Sequence, residues 1–327
     1  MKILFIIGNG FDINLGMKTR YLDFLENYKS IDTESKILNK LKNTISAKLK
    51  DWSDLELALG QYTENLNSLD EVDEVVNDIG EKLSNYLLIE EKKIDYDKVN
   101  GHKLYEYLMY PENTLPKADI NNINNFKEKW KNHHWYINII TLNYTRVLEN
   151  LLQDDIENTI LKIRENNAEI TLQGIEHLHG YAKDRMIMGV NDKSQIVNTS
   201  FHDNQDILET LIKSQCNKAQ KHTIDDLCVQ QINEANLICI FGSSIGETDN
   251  MWWEIIGERL KKDCQAIIFT KCEDINPRIS YVKARKERAL KRLFLTRTKL
   301  SEEDKKSIED KIYVGVNTKM FEGILDI

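Results

Sequence analysis

Seven short apolar runs constrain the fold of this chain most, because several of them end in glycine, asparagine or aspartate. They are Ile3 to Ile7, Ile137 to Leu142, Glu169 to Leu178, Met186 to Val190, Leu237 to Phe241, Gln265 to Thr270 and Ile312 to Val316. Glu169 to Leu178 alternates, while continuous apolar runs of this length suit central strands covered on both faces. Helical patterns lie between several of them, over Ile196 to Asn233, Asn250 to Lys262 and Pro277 to Leu293. Strand, turn, helix and strand in succession predict an α/β fold: a doubly wound, mostly parallel, Rossmann-like sheet. Only 3 prolines and 14 glycines occur in 327 residues, which disfavours a sandwich of short strands and excludes linker-like or collagen-like segments.

One stretch breaks the alternation. Thr19 to Lys131 contains no convincing strand and is rich in Leu, Glu, Lys and Asn at helical spacing. Trp52, Leu55, Leu59 and Tyr62 fall on one helix face, and Leu83, Tyr86, Leu87 and Glu90 on another. Pro111 and Pro116 mark a loop, and Asn121 to Asn125 reads as a polar turn. The expected organisation is a core of residues 1–30 and 132–327 with a helical insertion at 31–131. That insertion either caps a ligand crevice or only covers one side of the sheet.

No apolar run approaches the roughly 20 residues of a membrane span. The opening run is short and ends in Gly8-Asn9-Gly10, without a small-residue cleavage site. Cys216, Cys228, Cys239, Cys264 and Cys272 are widely spaced and form no C-x-x-C pair. They read as reduced thiols of a cytoplasmic protein, and no metal site is expected. The net charge of -9 disfavours a protein that coats nucleic acid. Lys283 to Arg297 is nevertheless strongly basic, and reads either as a solvated helix face or as a nucleic-acid contact.

The chemistry-bearing residues gather where strands end, which is where open α/β sheets bind ligands. The first strand feeds Gly8-Asn9-Gly10-Phe11-Asp12 and then Gly16. A glycine turn before a helix can cradle a phosphate, although this one fits neither G-x-G-x-x-G nor a Walker loop. Later strands end in Thr141-Leu142-Asn143-Tyr144-Thr145, in His177-Leu178-His179-Gly180, and in Gly242-Ser243-Ser244 running on to Asp249. Taken singly, Asn143, Ser243 and Ser244 read as helix caps and His179 as a structural histidine. His177 and His179 are two apart on a strand and so share a face, but no third metal ligand is evident.

Gly8-Asn9-Gly10-Phe11-Asp12 with Gly16, Tyr21 and Asp23-Phe24 resembles the opening of the abortive-infection AbiH family of antiphage proteins. Trp52-Ser53-Asp54-Leu55-Glu56, Asn143-Tyr144-Thr145, His179-Gly180 and Phe241-Gly242-Ser243-Ser244 resemble its later blocks, in the same order. The resemblance implies a role in phage defence, with a phage-derived trigger and a homo-oligomer among the expected partners. A deeper likeness is to sirtuin-like NAD-binding domains. Gly8, Gly10 and Gly16 match the spacing of their glycine block, Thr141 and Asn143 their T-x-N block, and His179-Gly180 and Gly242-Ser243-Ser244 the remaining two. Asp12 stands where those domains have Ser, and Thr145 where they have Asp. The cysteine-pair zinc module of true deacetylases is absent from the sequence.

The implied ligand is NAD, as substrate or bound nucleotide, and the implied reaction is hydrolysis of its nicotinamide–ribose bond. Asn143 would orient water or ribose, and His179 would accept a proton. Gly8, Asn9 and Gly10 would hold the pyrophosphate, with Ser243 and Ser244 near the adenosine. Asp12 or Asp23 would face the nicotinamide. A nucleotide-sensing module without catalysis and a nucleic-acid-directed effector are the alternatives.

Overall fold

The computed structural model describes residues 1–153, 157–271 and 280–325. Cys272 and Pro277 lie outside the described residues, while Cys216, Cys228, Cys239 and Cys264 are free thiols. β1 (Lys2–Ile7) is followed by seven helices: α1 (Gly10–Asn14), α2 (Tyr21–Tyr28), α3 (Lys36–Ala47), α4 (Leu55–Tyr62), α5 (Leu69–Glu91), α6 (Gly101–Met109) and α7 (Lys117–Lys127). Then come β2 (Trp135–Thr141), α8 (Val147–Leu152), β3 (Thr159–Ile163) and β4 (Glu169–His177). Helices α9 (Gln205–Leu211), α10 (Lys213–Ala219) and α11 (Ile224–Glu234) lead to β5 (Leu237–Phe241) and α12 (Asn250–Leu260). The chain finishes through β6 (Gln265–Thr270), α13 (Ser280–Arg297), α14 (Glu302–Glu309) and β7 (Ile312–Val316).

The seven strands form one sheet in the order β3-β4-β2-β1-β5-β6-β7. All pairings are parallel except β3 with β4. The two-residue period of the strands explains why the central runs lack alternation. Ile3, Phe5 and Ile7 join Ile137, Ile139, Cys239 and Phe241 in the core on one face. Leu4 and Ile6 join Ile140, Ile238 and Ile240 in the core on the other. Both faces are covered, so every position in β5 is buried.

The helices between β1 and β2 divide by packing. Leu104, Leu108 and Met109 of α6 and Ile123 of α7 pack into the core of the first sheet face. Helices α2 to α5 build a separate core around Phe24, Tyr28, Trp52, Leu59 and Val75. Residues from beyond β4 complete that core, among them Val190, Ile196 and Ile207.

Two expectations need correction, and one strand was not anticipated. Met186 to Val190 forms no strand; only an isolated bridge joins Val190 to Ile212. Its apolar residues are buried as a loop, with Met188 and Val190 in the core of the helical layer. Asn121 to Asn125 lies inside α7, because Ile123 and Lys127 are buried four residues apart while the asparagines face solvent. The antiparallel edge strand β3, Thr-Ile-Leu-Lys-Ile, is short and sits between polar residues, and its Ile160 and Ile163 are exposed at the sheet edge. Among the described residues, no helix is long and apolar enough to cross a membrane.

Candidate functional site

β4, β2, β1 and β5 are neighbours, so their C-terminal ends line one edge of the sheet. The chain fills one side of β1 through β2 and β4, then crosses to the other side at β5. Ligand crevices of α/β sheets open at such reversals.

At this reversal the β1 and β5 turns lie directly on each other. Gly8 N–H donates to the Phe241 carbonyl at 2.8 Å, and Gly10 N–H to the Gly242 carbonyl at 2.8 Å. Phe11 N–H turns back to the Gly8 carbonyl at 2.9 Å. A Cβ on Gly8 would lie 2.8 Å from Gly242 O, and one on Gly10 would lie 2.5 Å from Gly242 Cα. Gly242 itself has φ +71°. The glycines therefore serve a backbone-on-backbone contact, and three donors a phosphate would use are already engaged. Asn9 Nδ2 donates to the Thr19 carbonyl at 2.7 Å and pins the following loop.

The β5 turn is strained beside this contact. Ile245 is fully buried with φ +55°, a conformation that is costly for a β-branched residue. Ser243 Oγ accepts from Ile245 N–H at 3.0 Å and helps hold it, while Ser244 is exposed. Asp23 lies half-buried on α2 and makes no hydrogen bond to these strand-end residues.

Asp12 and Asn143 meet across β1 and β2. Asn143 Nδ2 donates to Asp12 Oδ1 at 3.1 Å, and Thr145 Oγ1 donates to Asp12 Oδ2 at 2.6 Å. Thr141 Oγ1 accepts from Asn143 N–H at 3.1 Å and fixes the strand end. Complete burial pushes the Asp12 carboxyl up to about 7, against the pull of the Thr145 and Asn143 hydrogen bonds. Asn143 Oδ1 is buried and has no partner.

His177 and His179 diverge rather than share a face, because β4 ends at His177 and the two-residue period ends with it. His177 Nδ1 lies 3.1 Å from the Asn143 carbonyl and its Nε2 lies 2.7 Å from Glu149 Oε1. Burial raises the Glu149 carboxyl, but the hydrogen bond and charge of His177 outweigh it and the net shift is downward.

His179 enters a different network. Its Nε2 lies 3.0 Å from Asp249 Oδ1, and its Nδ1 is buried without a partner. Lys213 Nζ sits 2.9 Å from the same Asp249 oxygen and 2.7 Å from Glu56 Oε2. The Tyr144 hydroxyl shares its hydrogen between Glu56 Oε1 at 2.9 Å and the Ile187 carbonyl at 2.8 Å. Burial opposes both charges of the central pair. For Lys213 the neighbouring Asp249 and Glu56 outweigh burial and raise it; for Asp249 the Lys213 and His179 contacts outweigh burial and lower it. Asp249, ion-paired with Lys213, is a carboxylate that only accepts, so His179 Nε2 is the donor of their contact. The ring lines a cavity of about 20 Å³, bounded also by Asn217, Asp225 and Thr248, enough for one water.

The structure thus brings Asn143 and Asp12 together, and sets His179 on the neighbouring strand end. Thr141 and His177 are register partners in β2 and β4, so Asn143 and His179 each stand two residues beyond a paired position. Glu56, Lys213 and Asp249 were missed as site residues. Glu56 and Asp249 lie within stretches already singled out, but Lys213 sits in a helical pattern with no distinguishing signal.

The model for the family described as bacteriophage abortive infection AbiH matches residues 4–270. The chain belongs to the AbiH family. Among curated proteins, none matches the chain. The AbiH match spans all the strand ends described above and the Glu56–Lys213–Asp249–His179 network, and it associates the chain with phage abortive infection.

Proposed function

We propose that this chain is an abortive-infection effector that hydrolyses a nucleotide, with NAD as substrate and the nicotinamide–ribose bond as the bond broken. The observation that carries the reading is His179: its Nε2 is held by Asp249 while its buried Nδ1 has no partner. A histidine so oriented is a general base awaiting a proton donor. The reading is further supported by Asn143 Oδ1, a second buried and unpartnered acceptor on the adjacent strand end.

In this scheme the glycosidic C–N bond breaks and its electron pair leaves with nicotinamide. Water bonds to the ribose carbon, and its proton passes to His179 Nδ1. Asp249 stabilises the imidazolium, and Lys213 holds Asp249 in place through its second ion pair with Glu56. Asn143 Oδ1 accepts from a ribose hydroxyl, and Asp12 with Thr145 fixes the Asn143 amide. The products are nicotinamide and ADP-ribose.

The residues suit the ribose end better than the diphosphate. Gly8 and Gly10 do not offer their N–H groups, so the diphosphate must be held elsewhere. The two positions where the chain departs from the sirtuin-like pattern also favour the reading. Asp12 and Thr145 hydrogen-bond to each other, so the hydroxyl and the carboxyl have exchanged places across one contact.

Nicotinamide release from NAD by purified protein tests the proposal. His179→Ala should lower the rate on the order of a hundredfold or more in protein that remains folded at the assay temperature. NAD-induced stabilisation without turnover would replace hydrolysis by sensing. Neither stabilisation nor release would overturn both.

A further inference from the structure

Helix α13 carries seven basic side chains and one acidic one in 18 residues, within a chain of net charge -9. Their arrangement is not uniform. Tyr281, Arg285, Arg288 and Arg292 recur at i, i+4, i+7 and i+11, which puts them on one face. All four are exposed. The opposite side carries Phe294, buried in the core beneath, and Leu290, which packs against that core. Among the described residues, Arg285, Arg288 and Arg292 have no carboxylate at ion-pair distance. The Arg285 guanidinium lies over the Tyr281 ring at 4.9 Å, and that ring is 58% exposed.

We propose that this face of α13 binds single-stranded nucleic acid. The stripe from Tyr281 to Arg292 runs about 17 Å along the helix. Three exposed guanidinium groups along it match the repeated charge of a phosphate backbone. An exposed tyrosine capped by a guanidinium offers a base a surface to stack on. An anionic membrane shares the charge requirement but needs an apolar face turned outward, and the apolar side of α13 is already buried. The proposal is independent of the nucleotide-hydrolase reading. Helix α13 also lies beyond the residues matched by the family model, so the face is not inferred from membership.

Fluorescence anisotropy with labelled oligo-U and oligo-dT of about 20 nucleotides tests the proposal. Affinity should fall with salt at a log–log slope of about -2, from three phosphate contacts at about 0.7 each. Arg285→Glu/Arg288→Glu/Arg292→Glu should abolish that slope and weaken binding at least about tenfold. Tyr281→Ala should weaken binding about tenfold and leave the slope unchanged, because stacking releases no counterions. Comparable affinity for both oligomers, or preference for oligo-U, supports the proposal and distinguishes backbone reading from 2′-hydroxyl reading. Charge reversal at the exposed Lys36, Lys40 and Lys48, around α3, is the control of equal charge change. Equal loss in that control overturns the proposal. So does the absence of binding at low salt, or tighter binding to phosphatidylserine vesicles that neither oligomer displaces.

Discussion

Asp12→Asn isolates the energetic consequence of placing a carboxyl at the buried meeting point of β1 and β2. The Asp12 carboxyl is pushed from 3.8 to about 7 by burial. Its raised value means that the folded state holds the proton more tightly than the unfolded chain. Stability is therefore fully present below about pH 4 and is lost as pH rises through about 7. At 1.36 kcal/mol per unit, the accumulated loss is about 1.7 kcal/mol at pH 5 and about 4 kcal/mol at pH 8. Asparagine keeps the shape, and its oxygen still accepts from Asn143 Nδ2. Its amide donates to Thr145 Oγ1, whose hydroxyl can rotate to accept. The titration is removed while the contacts remain. Urea unfolding of both proteins at the two pH values gives a difference of differences, in which every other titrating group cancels. The stability of Asp12→Asn relative to wild type should rise by about 2–3 kcal/mol between pH 5 and pH 8. A relative stability that stays constant across that range would refute the assignment of Asp12 as a charge held against burial.

The remaining predictions concern the network and the glycine turns. Lys213→Met leaves Glu56 and Asp249 facing each other without their shared cation, and should cost about 3–5 kcal/mol in urea unfolding. Adding Glu56→Gln should recover part of that loss, since one of the two stranded charges is removed. Gly10→Ala drives a Cβ to 2.5 Å from Gly242 Cα, backbone against backbone, and should cost more than about 3 kcal/mol or prevent folding. Gly16→Ala meets nothing within 4 Å and should cost only about 1 kcal/mol, from its φ of +88°. A stable Gly10→Ala protein that has lost only nucleotide binding would overturn the packing account of the turn.

The sheet was legible because parallel strands buried on both faces must be apolar at nearly every position. Ile3 to Ile7 and Leu237 to Phe241 could hardly be anything else. The same rule failed at Met186 to Val190, where apolar residues are buried in a loop by the helical layer rather than by a sheet. Asn143 and His179 were legible as polar residues at strand ends. Glu56 and Lys213 were not, because their meaning depends on α4 and α10 approaching each other 157 positions apart in sequence. Local periodicity does not report such an approach. An ammonium becomes distinctive only when two carboxylates share it in a buried site, and Lys213 is otherwise one lysine among many.

The glycine turn carries the larger lesson about function. A strand that feeds Gly-x-Gly suggests an approach by a ligand, yet the same freedom serves two turns that must touch. Gly8, Gly10 and Gly242 are mutually required: each would place its Cβ within 3 Å of the opposing backbone. The N–H groups of Gly8 and Gly10 are engaged in the β1–β5 contact. At the neighbouring β2 and β4 ends, Asn143 Oδ1 and His179 Nδ1 are buried without a hydrogen-bond partner among the described residues. Those ends are overlaid by α4, whose Glu56 reaches Lys213 and through it Asp249 and His179. Under the proposed reaction the helical layer, through Glu56, would help to hold Asp249 against His179. Any opening that admits a nucleotide to His179 must keep, or exchange, the ion pair between Glu56 and Lys213.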